Sequence, residues 1–112
     1  MSDPVLPKTT REIIEMRHKL APAQDEAFLA FSKAVYADGA LDKKTKQLIA
    51  VAVAHVTQCP WCIAGHTKGA KHAGATDAQI MEAIWVASEM RAGATYAHSA
   101  KALDELMKME KP

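Results

Sequence analysis

The chain has 112 residues, close to the commonest size of a single domain, and 49% of them are hydrophobic. Its formal net charge is only +1 and the two signs are interspersed, which argues against a nucleic-acid-binding protein. The longest apolar stretch, residues 48–56, is interrupted by His55 and is too short to span a bilayer. The N-terminus shows neither a basic leader nor an apolar run, so we expect a cytoplasmic protein that does not act at a membrane.

Alanine supplies much of the apolar content, and only 5% of the residues are aromatic. Alanine-rich helices approach one another closely but bury little area per residue. A domain of this size also buries a smaller fraction of its surface than a large one. We therefore expect a symmetric homo-oligomer to complete the core.

Capping signals, glycines and apolar residues at helical spacing predict an all-α single-domain bundle of about six short helices. Thr9-Thr10-Arg11-Glu12 and Thr76-Asp77-Ala78-Gln79 both have the form of a capping box, which predicts a helix start at each. Residues 1–8, which contain two prolines, should form an N-terminal arm, so that the helical domain comprises residues 9–112. The predicted helices span residues 9–21, 23–37, 42–56, 58–72, 76–93 and 95–109.

Two of these helices carry the strongest core signals. Residues 49–56 of the third helix are apolar nearly all round, which is typical of a helix buried on most sides. In the fifth helix, Ile80, Ile84, Val86 and Ala87 recur at helical spacing and should point inward.

The only two cysteines lie in the segment Cys59-Pro60-Trp61-Cys62, and His66 follows the second cysteine by four residues. Pro60 suits the first turn of a helix, so the pair should lie at the start of the fourth helix. Three residues apart in that turn, the two sulfurs can lie on one face and form a disulfide. The positive end of the helix dipole favours the nucleophilic thiolate there. His66, one turn further along, can accept or relay the thiol proton.

A second histidine, His55, precedes Cys59 by four residues. If residues 42–72 formed one helix kinked at Pro60, His55, both cysteines and His66 would lie along one line of that helix. The candidate catalytic residues are therefore Cys59, Cys62, His66 and His55. We expect them to act without a cofactor or a bound metal.

Three other interpretations of the cysteine pair remain open. Cys59, Cys62 and His66 could ligate zinc, although His55 would lie about 16 Å from His66 along a continuous helix, too far to complete one tetrahedron. The cysteines could also be inert and buried. A thioredoxin fold would need a strand before the pair and a βαβ pattern around it, whereas the flanks here are helical.

Three segments together resemble the AhpD-like alkylhydroperoxidase group of the carboxymuconolactone decarboxylase family. They are the stretch from Leu41 to Val53, the stretch Cys59-Pro60-Trp61-Cys62-Ile63-Ala64-Gly65-His66, and Ala73-Gly74-Ala75-Thr76. The resemblance extends over about residues 28–100. It implies an all-helical fold that assembles as trimers or hexamers. It also implies reduction of a small-molecule hydroperoxide, with recycling by a dithiol reductant such as a lipoylated or thioredoxin-like protein.

By position in that family pattern, Cys62 resembles the cysteine that attacks peroxide and becomes a sulfenic acid. Cys59 resembles the resolving cysteine and His66 the relay histidine. The chain departs from the pattern at Gln47, where the family has a relay glutamate. An amide cannot take up a proton as a carboxylate does, so either His55 supplies that function or peroxidase activity is weak.

The resemblance thus predicts a thiol-dependent peroxidase or disulfide oxidoreductase. Two alternative functions would give different experimental results. A redox-sensing or metal-sensing dithiol protein would change state once, whereas an enzyme would consume peroxide repeatedly. A decarboxylase of the same family would work unchanged with both cysteines replaced.

Overall fold

The computed structural model describes residues 5–111, and within that range every regular element is an α-helix. The all-α prediction is confirmed. Residues 1–4 of the expected arm lie outside the described residues, and residues 5–10 precede the first helix. The elements are α1 (Arg11–Leu20), α2 (Pro22–Tyr36), α3 (Lys43–Thr57), α4 (Pro60–His72) and α5 (Asp77–Met109).

Two compact units make up the chain, one ending at Lys46 and the other starting at Gln47. The first unit contains α1 and α2. The hydroxyl of Thr10 caps α1 by accepting the backbone N–H of Ile13 at 3.3 Å, so the helix starts one residue later than a Thr9 capping box would place it. Pro22 begins α2. None of the residues in α1 or α2 is buried.

The second unit contains the buried core. Side chains from α3, α4, the α4–α5 turn and α5 meet in one small cluster: Val51, Ala70, Ala75 and Ile80, with the partly buried Leu48 and Ile84 packed against it. Two of the four buried members are alanines, so the cluster contributes little buried area for its number of residues. The core therefore has the alanine-rich character that the composition predicts.

The predicted burial of α3 on most sides is wrong. Val51 and Ala54 are buried, but Ile49, Val53 and Val56 are about half exposed, at 47%, 52% and 43%. In the fifth helix, likewise, Ile80 and Ala87 are buried, Ile84 is partly buried and Val86 is exposed. Within this unit the core cluster contacts only one face of each helix, because so few elements surround it.

The predicted fifth and sixth helices are one continuous helix, α5, of 33 residues. Gly93 was expected to end the first of them. A glycine ends a helix when it adopts a left-handed conformation, and Gly74 does so after α4 with a φ of 97°. Gly93 stays helical. Glycine costs only about 1 kcal/mol relative to alanine within a helix, and the residues on both sides of Gly93 include strong helix formers. Among the described residues, no helix is both long enough and apolar enough to cross a membrane.

Two aspartates accept hydrogen bonds at the starts of α3 and α5. The Asp42 carboxylate accepts the backbone N–H of Thr45 at 2.8 Å, and the hydrogen bonds from Thr45 hold the pKa of Asp42 below its usual value of 3.8. The Lys71 ammonium similarly lowers the pKa of Asp77 through a 2.7 Å hydrogen bond. A lowered carboxyl pKa means that each contribution to stability is present near neutrality and is lost as the pH falls through the folded-state value.

Assembly into a homo-oligomer, with the trimer or hexamer implied by the family resemblance, stays a prediction, and the exposed apolar surface strengthens it. Phe28 and Phe31 of α2 are 64% and 65% exposed. An apolar groove of about 400 Å³ also opens between α3 and α5, lined by Ala52, Val53, Val56, Val86, Ala87, Met90, Arg91 and Ala94. Surfaces of this kind usually mark an interaction site. Light scattering at micromolar concentration should give a multiple of the 12.1 kDa chain mass, and a monomer would contradict the prediction.

Candidate active site

The connection between α3 and α4 places the cysteine pair. Helix α3 ends at Thr57, and Gln58 adopts a left-handed conformation with a φ of 58°. The N–H of Cys59 then donates to the carbonyl of Ala54 at 3.1 Å, which closes the end of α3. Pro60 cannot donate a helical hydrogen bond and restricts the residue before it. The continuous helix over residues 42–72 is therefore wrong, and the chain changes direction immediately before the first cysteine.

Cys59 caps α4, and Cys62 lies in its first turn. The Sγ atom of Cys59 accepts the backbone N–H of Cys62 at 3.3 Å, while Pro60 occupies the first helical position. The two cysteines form a disulfide, with their Cα atoms 5.2 Å apart, and both are half-buried. Trp61 between them is 46% exposed and so does not belong to the core. The structure thus joins the two thiols whose spacing predicts a disulfide.

His66 lies one turn after Cys62 on α4, and Gln47 of α3 holds its ring. Nδ1 of His66 is 2.8 Å from Oε1 of Gln47. An amide oxygen can only accept a hydrogen bond, so Nδ1 carries the proton and donates it. In the neutral ring Nε2 is then the basic nitrogen. Both residues are half-buried. The interaction joins residues 19 positions apart and orients the His66 ring.

His55 lies in α3 and makes a hydrogen bond within its own helix. Its Nδ1 donates to the carbonyl of Val51 at 2.7 Å, one turn back in the same helix. Because Gln58 breaks the helical path, the four-residue offset between His55 and Cys59 does not align the two side chains. The predicted line of four side chains is replaced by a set of three on α4, Cys59, Cys62 and His66, supported by Gln47 from α3.

Metal binding was one of the open interpretations. Within residues 5–111, no group of three or more His, Cys, Asp or Glu side chains is placed to hold a metal ion. Sulfurs joined in a disulfide are also not thiolates, which is the form that ligates zinc. In its disulfide form the pair can undergo thiol–disulfide exchange.

These features define an all-helical protein with a dithiol–disulfide pair at a helix start and a histidine one turn away. The chain belongs to the carboxymuconolactone decarboxylase family, whose sequence model matches residues 22–105. That family contains enzymes. The match covers the second helix, the whole site and most of α5.

Individual relatives agree with this assignment. An "Uncharacterized protein 4 in cox locus" of Paracoccus denitrificans is 66% identical over 103 residues, 92% of each chain. The crystal structure of a carboxymuconolactone decarboxylase family protein from Legionella pneumophila, in its apo form, has a TM-score of 0.69 and 34% identity over 89% of both chains. A crystal structure from Thermotoga maritima has a TM-score of 0.68 and 31% identity, covering 90% of this chain and 94% of its own.

Sequence reasoning treated Gln47 only as a departure from the family pattern and missed Gly69 altogether. The structure shows that Gln47 makes a direct hydrogen bond to His66. It also shows that the Gln47 amide lies where a side chain at position 69 would be. One weak signal was available, since glycine inside a helical segment is less favourable than alanine, but Gly65 and Gly93 share that signal.

Proposed function

We propose that this protein is a thiol-dependent peroxidase and disulfide oxidoreductase that reduces alkyl hydroperoxides through Cys59 and Cys62. One observation carries the proposal: the two cysteines pair at the start of α4, with a histidine oriented one turn away. Helix-start cysteines with a neighbouring base are typical of reactive rather than inert thiols. We place the reaction in the cytoplasm, where a reduced dithiol pool can reset the pair.

The first step oxidises Cys62. The basic Nε2 of His66 takes the thiol proton, and the resulting thiolate attacks the outer oxygen of the hydroperoxide. The O–O bond breaks, sulfur gains one oxygen, and the departing alkoxide takes the proton back from the imidazolium to leave as an alcohol. The products are a sulfenic acid on Cys62, one alcohol molecule and a neutral histidine.

The second and third steps regenerate the dithiol. The thiol of Cys59 attacks the sulfenic sulfur of Cys62, which forms the disulfide and releases one water molecule. An external dithiol, of the lipoyl or thioredoxin-like class, then exchanges with the disulfide. It gives up two hydrogens, becomes a disulfide itself and leaves both cysteines reduced. The disulfide state in this structure corresponds to the end of the second step.

Gln47 limits how the proton can travel. A glutamate at this position could pass a proton onward, whereas the amide can only orient the imidazole. The proposal therefore assigns proton transfer to His66 alone, with a slower cycle than a carboxylate relay would support. If that cycle is slow enough, the protein works instead as a dithiol sensor that changes state once.

Turnover is the test of this proposal. Reduced protein is mixed with tert-butyl hydroperoxide and an excess of dihydrolipoamide, and peroxide loss is followed beyond one equivalent per chain. We expect many equivalents to be consumed, at a rate proportional to the protein concentration. Consumption that stops after one equivalent despite the reductant would establish the sensor instead. Peroxide loss that persists after both cysteines are replaced by serine would exclude the dithiol mechanism.

A further inference from the structure

We infer that Gly69 is a positioning residue for this site: its lack of a side chain provides the space in which the Gln47 amide holds His66 with the proton on Nδ1. The effect on reaction rate rests on the proposed function, but the effect on His66 does not. Gly69 itself contacts neither the cysteines nor a substrate in this scheme, so it acts through Gln47.

The first observation is that the Gln47 amide lies in the space that a side chain at position 69 would occupy. A Cβ atom added to Gly69 would lie 2.7 Å from Oε1 and 2.9 Å from Cδ of Gln47. A Cβ atom essentially never lies that close to a non-bonded heavy atom, so one of the two groups has to move. Gln47 ends in a flexible chain, whereas position 69 is fixed within α4. The amide would therefore move and the helix would stay.

The same amide oxygen is the one that orients His66. Gly69 follows His66 by three residues, so both lie on the same face of α4, and Oε1 of Gln47 contacts this face. Displacing the amide removes the Gln47 oxygen as an acceptor for the Nδ1 proton. The neutral ring can then carry its proton on Nε2 instead, and in that form Nε2 cannot accept the proton of Cys62.

Gly65 provides a matched control on the same helix. It lies one turn before Gly69, and an added Cβ there would meet nothing within 4 Å. Replacing either glycine by alanine gives the helix a better helix former. Only the change at position 69 forces Gln47 to move. A difference between the two variants therefore reports the space that Gln47 needs and not a general effect on α4.

The experiment measures the protonated nitrogen of His66 by ¹⁵N NMR, with the resonances assigned by their loss in His66→Ala. Wild type and Gly65→Ala should show the proton on Nδ1 at a pH at which the ring is neutral. Gly69→Ala should shift it toward Nε2, and so should Gln47→Ala. On the Gln47→Ala background, Gly69→Ala should add nothing, since the group it displaces is gone.

The rate measurement uses the same variants. Oxidation of the reduced pair by one equivalent of peroxide should be about 10-fold slower or more in Gly69→Ala, toward the range of lost general-base catalysis, and unchanged in Gly65→Ala. If Gly69→Ala keeps the wild-type tautomer, the inference is overturned. If Gly69→Ala does not fold, Gln47→Ala decides, and a proton retained on Nδ1 there overturns it as well. Wild-type protein that consumes no peroxide would refute the proposed function while leaving the tautomer result standing.

Discussion

Cys62→Ser should reduce peroxide consumption to the rate of the buffer alone, whereas Cys59→Ser should still perform the first oxidation. The reason is that the two sulfurs have different roles in the proposed cycle. A serine hydroxyl stays protonated near neutrality and is a poor nucleophile toward peroxide, so the Cys62 variant lacks the attacking group. In the Cys59 variant the attacking thiol and His66 remain, but the sulfenic acid has no partner with which to condense.

Mass spectrometry distinguishes the two variants after a single equivalent of tert-butyl hydroperoxide. Cys59→Ser should gain one oxygen on Cys62, which a cyclic diketone reagent traps as a stable adduct, and it should not turn over. Cys62→Ser should remain unmodified over the same period. The roles assigned here would be reversed if the adduct formed on Cys59 in Cys62→Ser while Cys59→Ser stayed unreacted.

His66→Ala should slow oxidation of the reduced pair by about 10²-fold or more, the range expected when a general base is lost. His55→Ala should change the rate little, because the Nδ1 proton of His55 is donated to the carbonyl of Val51 within α3. Stopped-flow measurement of the oxidation rate of wild type and of both variants tests these expectations.

The Gln47→Glu variant tests whether a carboxylate at position 47 speeds the oxidation. A carboxylate there can accept the Nδ1 proton of His66 in the same position and can also take that proton up. We expect the oxidation rate to rise above that of wild type. Proton transfer would instead be assigned to His55 if His55→Ala were oxidised as slowly as His66→Ala and the oxidation rate of Gln47→Glu did not exceed that of wild type.

The sequence by itself determined most of the local structure, because the signals for it lie within a few residues. Thr76 with Gln79 forms the capping box that the pattern predicts, and Gly74 ends α4 in a left-handed conformation. Pro60 begins α4 and places Cys59 at its cap. The pairing of Cys59 with Cys62 follows from the same short spacing, since three residues in a first turn bring two sulfurs together.

Local signals were insufficient where two tendencies compete. Gly93 could have ended a helix, yet the helix formers around it keep α5 continuous from Asp77 to Met109. Conversely, the apolar run of residues 49–56 suggested that α3 is surrounded, and three of its four large apolar side chains, Ile49, Val53 and Val56, are exposed instead. The burial of a helix depends on how many other elements pack against it, and the sequence pattern of the helix itself does not show that number.

Only the tertiary structure decided the environment of His66. Gln47 and His66 are 19 residues apart on different helices, and no periodicity within either helix brings them together. Their hydrogen bond depends on how closely α3 and α4 approach, and that approach leaves the Gln47 amide in the space beside Gly69. A pattern comparison showed an amide where a carboxylate was expected. The fold showed what that amide does, because the orientation of a side chain depends on the space that distant parts of the chain leave for it.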